Sequence, residues 1–158
     1  MDKRALLALL VRRLEDELAA IRAAALATHA EATSEENKAE NKYDTRGLEA
    51  SYLAHGQSKA AEEAAQALAQ FQGLSPRSFA AGEPAELGAL LTVEGRNRQK
   101  YFLGPRAGGT EVTLDGESVM VVTPSSPLGR QLVGKTAGAS VPLDLAGSRS
   151  VHRIVSVE

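Results

Sequence analysis

The chain has 158 residues, 43% of them hydrophobic, which is enough to build one ordinary domain or two small ones with buried cores. It contains no cysteine, which excludes disulfides, thiolate metal sites and cysteine nucleophiles. A formal net charge of −2 is too balanced for a general nucleic-acid binder held by phosphate contacts. The apolar run from Ala5 to Val11 is far shorter than the roughly 20 residues that span a bilayer, so we expect a cytoplasmic protein without a membrane partner.

Two amphipathic helices are predicted in the first half of the chain. Apolar and small residues recur at alternating intervals of four and three from Leu7 to Ala32 and again from Ala50 to Phe71, as in heptad repeats. Folding the second stripe back on the first gives one consistent register, in which larger side chains mostly face small ones, as Leu14 faces Ala67. The register places the fold-back near residue 41 and indicates an antiparallel hairpin that leaves the chain monomeric.

The periodicity changes after residue 74, where glycines and prolines mark a boundary. We therefore expect a hairpin at 1–74 with its tip near 35–45, a linker at 75–86 and a second domain at 87–158. Ser125-Ser126-Pro127 before Leu128, Leu132 and Val133 indicates a short capped helix with an apolar inner side. The predicted class is α+β: a long antiparallel α-helical coiled-coil hairpin followed by a small, mainly antiparallel β domain with one short helix. The predicted strands are Leu87–Val93, Lys100–Leu103, Thr110–Leu114, Val119–Thr123, Ser140–Leu145 and Val151–Val157.

Two segments resemble the Gre transcript-cleavage factors of bacterial RNA polymerase. The stretch from Thr123 to Lys135 is similar to the Ser-Pro-helix-Leu-x-Gly-Lys segment of the Gre C-terminal domain, and Glu40-Asn41-Lys42-Tyr43 is similar to the Glu-Asn-x-x-Tyr signature of the Gre tip. The resemblance implies an FKBP-like fold for 87–158 and bacterial RNA polymerase as the partner. The residues that it implies for docking on the polymerase are Ser126, Pro127, Leu128, Arg130, Leu132 and Gly134.

For the tip, the resemblance implies an assisting role and no catalysis by the chain itself. In Gre factors the hairpin enters the secondary channel, and tip carboxylates help to hold a second Mg²⁺ beside the 3′ end of the nascent RNA. Mg²⁺ prefers oxygen ligands and is not held stably by such a tip alone, so it would be shared with the polymerase. The implied tip residues are Glu36, Glu40, Asn41 and Asp44, and the implied transient Mg²⁺ ligands are Glu40, Glu36 and Asp44.

The tip departs from the Gre pattern at one position. Gre tips carry an Asp three residues before the Glu-Asn pair, and this chain has Asn37 there, a neutral and poorer Mg²⁺ ligand. Glu36 and Asp44, each four residues from Glu40, could replace that acid on one helical face. Two hypotheses stay open: a stimulator of RNA cleavage, and a regulator or inhibitor that only occupies the channel. A simpler interpretation is a solvated acidic turn.

Two other functional classes, a prolyl isomerase and a coiled-coil scaffold or chaperone, are alternatives to a Gre-type factor. An FKBP-like domain suggests a prolyl isomerase, but Phe79, Tyr101 and Phe102 are too few for the aromatic-lined pocket which that activity needs. A coiled-coil scaffold or chaperone would use the hairpin surface and not the tip acids.

Two further groups of polar residues have mainly structural interpretations. His29 and His55 lie near each other in the hairpin register, yet without a third ligand they indicate surface histidines and not zinc. Arg96, Arg98 and Lys100 alternate along a strand, which favours a solvated sheet face over a contact with RNA or an acidic surface.

Overall fold

The computed structural model describes residues 1–33, 46–145 and 148–158. Its helices are α1 (Lys3–Thr33), α2 (Arg46–Gln72) and α3 (Pro127–Leu132). At 1.5 Å per residue, the 31 residues of α1 extend over about 46 Å. Two long helices are followed by a β-sheet with one short helix, so the predicted α+β class is confirmed.

All six predicted strands are present and form one sheet in the order β3-β4-β2-β1-β6-β5. Strands β2 and β4 run parallel, whereas the other four neighbouring pairs are antiparallel, so the sheet is mainly antiparallel as expected. The strand bounds are β1 Leu90–Glu94, β2 Arg98–Leu103, β3 Glu111–Leu114, β4 Glu117–Val122, β5 Ser140–Leu145 and β6 Ser148–Val157.

The chain forms two compact units whose bounds cut through both long helices. One unit is Met1–Val11 together with Ala69–Glu158, and the other is Arg12–Leu68. The first turns of α1 and the last turn of α2 therefore belong to the unit that contains the sheet. Asp2 begins α1 as a side-chain cap, because its Oδ1 accepts from the backbone N–H of Arg4 at 2.8 Å.

Both faces of the sheet carry buried apolar side chains. One face forms a core with α3 that includes Leu91, Tyr101 and Leu103. Residues at the alternate strand positions point to the opposite face, and Phe102 there is also fully buried. Its ring lies 6.3 Å from the ring of Phe71 near the end of α2. The other buried residues at the alternate positions include Leu90, Val119 and Val121, and the helix residues buried in the same unit include Leu6, Leu7 and Leu10.

Within the second unit, burial along the helices is uneven. Leu14 and Ala67, which the register predicts to face each other, are both buried, and so is Leu18. Farther along the helices Leu53 is 55% exposed although it lies on the predicted seam. The Oε1 atom of Gln57, another seam residue, is buried without a hydrogen-bond partner among the described residues. The coiled-coil pairing of α1 with α2 stays a prediction, which the burial at Leu14, Leu18 and Ala67 supports.

Among the described residues, none of the helices combines the length and the apolar character that crossing a membrane requires.

Candidate partner-docking site

The segment Thr123–Lys135, which carries the stronger family resemblance, is built around a tightly capped helix. Ser126 is the N-cap of α3, with extended backbone angles of φ −68° and ψ 157°. Its Oγ accepts from the N–H of Gly129 at 3.0 Å and donates to the carbonyl of Thr123 at 2.8 Å. Pro127 occupies the first helical position, where its missing N–H costs nothing. The main structural role of the motif is therefore to cap α3 and fix where the helix begins.

One side of α3 is available to a partner. Pro127, Arg130 and Val133 are exposed and recur at intervals of three, which places them on one side of the short helix. We call these three residues the α3 face. The Arg130 guanidinium donates to the carbonyl of Ser125, which holds the side chain against the cap. The α3 face thus combines a rigid ring, an oriented cation and a branched apolar side chain.

The other predicted docking residues have different surroundings. Leu132 is fully buried in the sheet core and Leu128 packs partly buried against it, so each can support docking only by holding α3. Gly134 is exposed and has a positive φ of 76°, as the residue that follows the C-cap. Val133, which we expected in the core, is 37% exposed. That expectation was wrong because Val133, the C-cap residue, lies three residues after the exposed Arg130 and so on the outer side of α3, whereas Leu132 is buried.

The predicted tip residues are not among those that the structure describes. Glu36, Glu40, Asn41 and Asp44, together with Asn37, lie outside the described residues. Whether the carboxylates converge on a metal therefore stays a prediction. Among the residues that the structure does describe, no group of three or more His, Asp or Glu could hold a metal ion.

The basic strand residues are paired with acids. The Arg98 guanidinium lies 3.0 Å from Glu94, and the Lys100 ammonium lies 2.7 Å from Glu117. The hydrogen bond from Lys100 lowers the pKa of the Glu117 carboxyl. Arg96 is exposed in the turn between β1 and β2. This arrangement fits a solvated sheet face better than a surface for RNA phosphates.

Phe79, Tyr101 and Phe102, the aromatic residues of the second half of the chain, do not line one common pocket. Tyr101 and Phe102 are consecutive in β2 and point to opposite faces of the sheet. Phe79 lies beneath two cations, with the Lys3 ammonium 4.7 Å and the Arg77 guanidinium carbon 4.6 Å from its ring centre. An aromatic-lined pocket for proline is therefore not formed by these side chains.

The three histidines differ in burial. His29 and His55 are exposed on α1 and α2. His152 is buried in β6, where its Nδ1 lies 3.1 Å from the carbonyl of Ser150. Its ring packs so closely on Gly95 that a Cβ added there would lie 2.1 Å from the imidazole Cδ2. No sequence pattern distinguished this histidine, because the contact joins residues far apart in the chain.

Comparison with family models gave no match, and neither did comparison with curated proteins. Among solved structures the chain is similar to GreA factor homolog 1 (Gfh1) of Thermus thermophilus, with 20% identity over 94% of each chain and a TM-score of 0.38. It is similar to Gfh1 of Thermus aquaticus with 19% identity over 92% of each chain and a TM-score of 0.38. A further structure of the transcription factor Gfh1 gives 21% identity, 93% of this chain and 92% of the other, and a TM-score of 0.37.

These structures bear the name of the family that the two motifs resemble. Identities near 20% and TM-scores below 0.5 make this a likeness in arrangement only.

Proposed function

We propose that this chain is a Gre-type elongation factor that binds bacterial RNA polymerase. It docks by residues 87–158 and inserts the acidic tip of its hairpin into the secondary channel. The polymerase remains the enzyme, and the factor reaches the 3′ end of the nascent RNA only through the tip. The proposal places the factor in the cytoplasm, as a monomer.

The observation that carries the proposal is the way in which the family-like segment is used. Its Ser, Pro and Gly residues begin and end α3. The exposed residues Pro127, Arg130 and Val133 form the α3 face. A rigid, well-capped helix with an Arg held in position is typical of a protein-binding surface, since little side-chain entropy is lost on binding. The two long helices supply the reach that insertion requires.

The tip acids set the kind of activity. When Mg²⁺ is bound with the polymerase, it would activate a water and neutralise charge on the RNA phosphate. Glu36, Glu40 and Asp44 supply oxygen atoms of the type that this ion prefers. Asn37 supplies no charge, so the regulator without cleavage is the second candidate function.

Docking is tested by measuring the affinity of the full chain for core RNA polymerase. Arg130→Ala removes the cation of the α3 face, and we expect about tenfold weaker binding, since interface arginines often contribute more than 1 kcal/mol. Arg106→Ala is the matched control, because Arg106 is exposed in the same unit and the charge change is the same. Absence of binding by the unmodified chain would exclude the proposal and favour a scaffold or chaperone.

The activity is tested on backtracked elongation complexes. Shortened RNA that disappears with Glu40→Ala and persists with Glu63→Ala, a change of equal charge at an exposed position of α2, identifies a cleavage stimulator. Binding without shortening identifies the channel regulator.

A further inference from the structure

The loop that joins the helices to the sheet is held at both of its ends by one side chain. We call residues 77–88 the connecting loop. The Lys3 ammonium, in the first turn of α1, donates to the carbonyl of Arg77 and, at 3.2 Å, to the carbonyl of Gly88. A single cation thus closes the loop onto the start of α1. All these residues lie in the same compact unit.

Inside the connecting loop a second set of contacts fixes its shape. The Arg77 guanidinium pairs with Glu83 and, at 2.8 Å, with Glu86. Glu83 also accepts from the N–H of Ala80 at 2.8 Å. Lys3 and Arg77 stack on the ring of Phe79, which packs against the sheet core. The loop therefore behaves as one piece that Lys3 attaches to α1.

The same loop is bonded to the end of α3. The N–H of Ala85 donates to the carbonyl of Lys135 at 2.8 Å, and the N–H of Gly134 donates to the carbonyl of Ala85 at 2.8 Å. Ala85 is fully buried, so neither bond can be replaced by water without opening the loop. The last turn of α3 and the α3 face beside it are thereby positioned by residue 85.

Lys3 is an unusual choice for this position. Burial lowers the pKa of its ammonium, while the Glu158 carboxylate acts in the opposite direction and Arg77 adds to the lowering. Placing a cation where desolvation opposes its charge is costly unless its hydrogen bonds are specific. A methionine would avoid that cost, but it would donate no hydrogen bond. Only a side chain with several N–H donors can bond to both carbonyls at once.

We propose that Lys3 is a positioning residue for the docking surface: it clamps the connecting loop, and the loop sets the orientation of α3. The effect of Lys3 on docking rests on the proposed function, but its clamping of the connecting loop can be measured without the polymerase. The clamp acts at a distance from α3 through Ala85, so Lys3 itself need not touch the partner.

The experiment compares Lys3→Met, which keeps the apolar stem and removes the donors, with Arg4→Met, an exposed neighbour with the same charge change. Lys3→Arg tests rescue by another multiple donor. Amide hydrogen exchange is measured at Ala85 and Gly134, with Val121 and Ile154 in the sheet as references, well below the unfolding temperature of every variant. Affinity for core polymerase is measured under the same conditions.

We expect Lys3→Met to speed exchange at Ala85 and Gly134 about tenfold, to leave the sheet amides unchanged and to weaken polymerase binding about tenfold. Arg4→Met should change none of these, and Lys3→Arg should restore most of the loss. Unchanged exchange, or exchange accelerated equally at Val121 and Ile154, would overturn the clamp. Faster exchange at Ala85 and Gly134 with unaltered affinity would overturn its role in docking. If the unmodified chain does not bind, the proposed function fails, and the exchange rates alone still decide whether the clamp exists.

Discussion

Two single residues show what the sequence could and could not indicate. The Ser-Pro pair at 126–127 predicted the start of a helix, and α3 begins there because both residues act locally. Gly95 gave no such signal. It has no left-handed φ, and it is small because the ring of His152, distant in sequence, occupies the space beside it. Local chemistry is readable from sequence, whereas a steric contact between distant residues is not.

Gly95→Ala should therefore destabilise the protein. The added Cβ would lie 2.1 Å from the His152 ring, and forcing an atom into a packed site typically costs about 1–3 kcal/mol. Urea unfolding measures the loss. The cost should shrink when His152→Ala is already present, because the obstructing ring is gone.

Gly56→Ala is the control for the same chemical change. A Cβ there meets nothing within 4 Å, and Gly56 lies inside α2. Alanine should stabilise the helix by about 0.5–1 kcal/mol. Equal effects of the two substitutions would contradict the steric explanation.

Tyr101 provides a prediction about pH. Burial raises the pKa of its phenol above the ordinary value of 10.0, and the Glu111 carboxylate adds to the rise. The unfolded chain therefore releases this proton first as the pH increases. Stability contributed by the neutral phenol is complete below pH 10 and is lost as the pH rises through the higher folded-state pKa.

Absorbance titration at alkaline pH, in a chain where Tyr43 and Tyr52 are replaced by Phe, isolates this phenol. Glu111→Gln should move its midpoint downward without bringing it back to 10.0, because burial is the larger cause. A midpoint at the ordinary value before the substitution would refute the argument.

At the scale of elements, the period of hydrophobic residues was the informative signal. Strands were predicted from short runs of β-type residues separated by turn residues, and Tyr101 and Phe102 in β2 are both buried because both faces of the sheet are covered there. The heptad stripe predicted two helices in the same way. It did not predict how fully each seam position is buried, and Leu53 on that seam is 55% exposed.

Gln57 is a polar residue at a position of α2 where the heptad pattern favours an apolar side chain. It occupies a seam position, and its Oε1 is buried without a partner among the described residues. An unsatisfied buried acceptor costs about 1–3 kcal/mol, which an apolar side chain of similar size would avoid. Gln57→Leu should therefore raise the midpoint of thermal unfolding by several degrees, measured by circular dichroism at the helix band.

Gln66→Leu is the matched substitution. Gln66 is exposed on the same helix and donates to Glu62 at 3.3 Å, so no stabilisation is expected from it. A gain of the same size in both variants would mean that helix propensity, and not the seam, explains the effect.

At the scale of the whole molecule, composition placed a boundary at 75–86, yet the unit that contains the sheet also includes Met1–Val11 and residues from Ala69 onward. The heptad pattern cannot show this, because Leu7 and Phe71 fit a helix seam and a sheet-packing surface equally well. Phe71 is 1% exposed and lies beside Phe102, and a Cβ on Gly104 would meet the Phe71 ring at 2.8 Å. Such close contact makes the end of α2 part of the sheet's support.

A fragment of residues 75–158 should therefore fail to fold stably. It lacks Phe71 together with Leu6 and Leu10, and it leaves Phe102 and its neighbours on that face open to water. Losing one buried phenylalanine side chain alone costs about 3–5 kcal/mol, a large part of the 5–15 kcal/mol that stabilises an ordinary domain. Strong binding of an apolar dye and a broad unfolding transition are the expected results.

The fragment should be compared with a chain that lacks the other compact unit. A chain in which Arg12–Leu68 is replaced by a flexible Gly-Ser linker of about ten residues keeps both helix ends together with the sheet. It should unfold cooperatively and bind little dye, because Phe71 still covers Phe102. If the 75–158 fragment were as stable as this shortened chain, the helix ends would be dispensable.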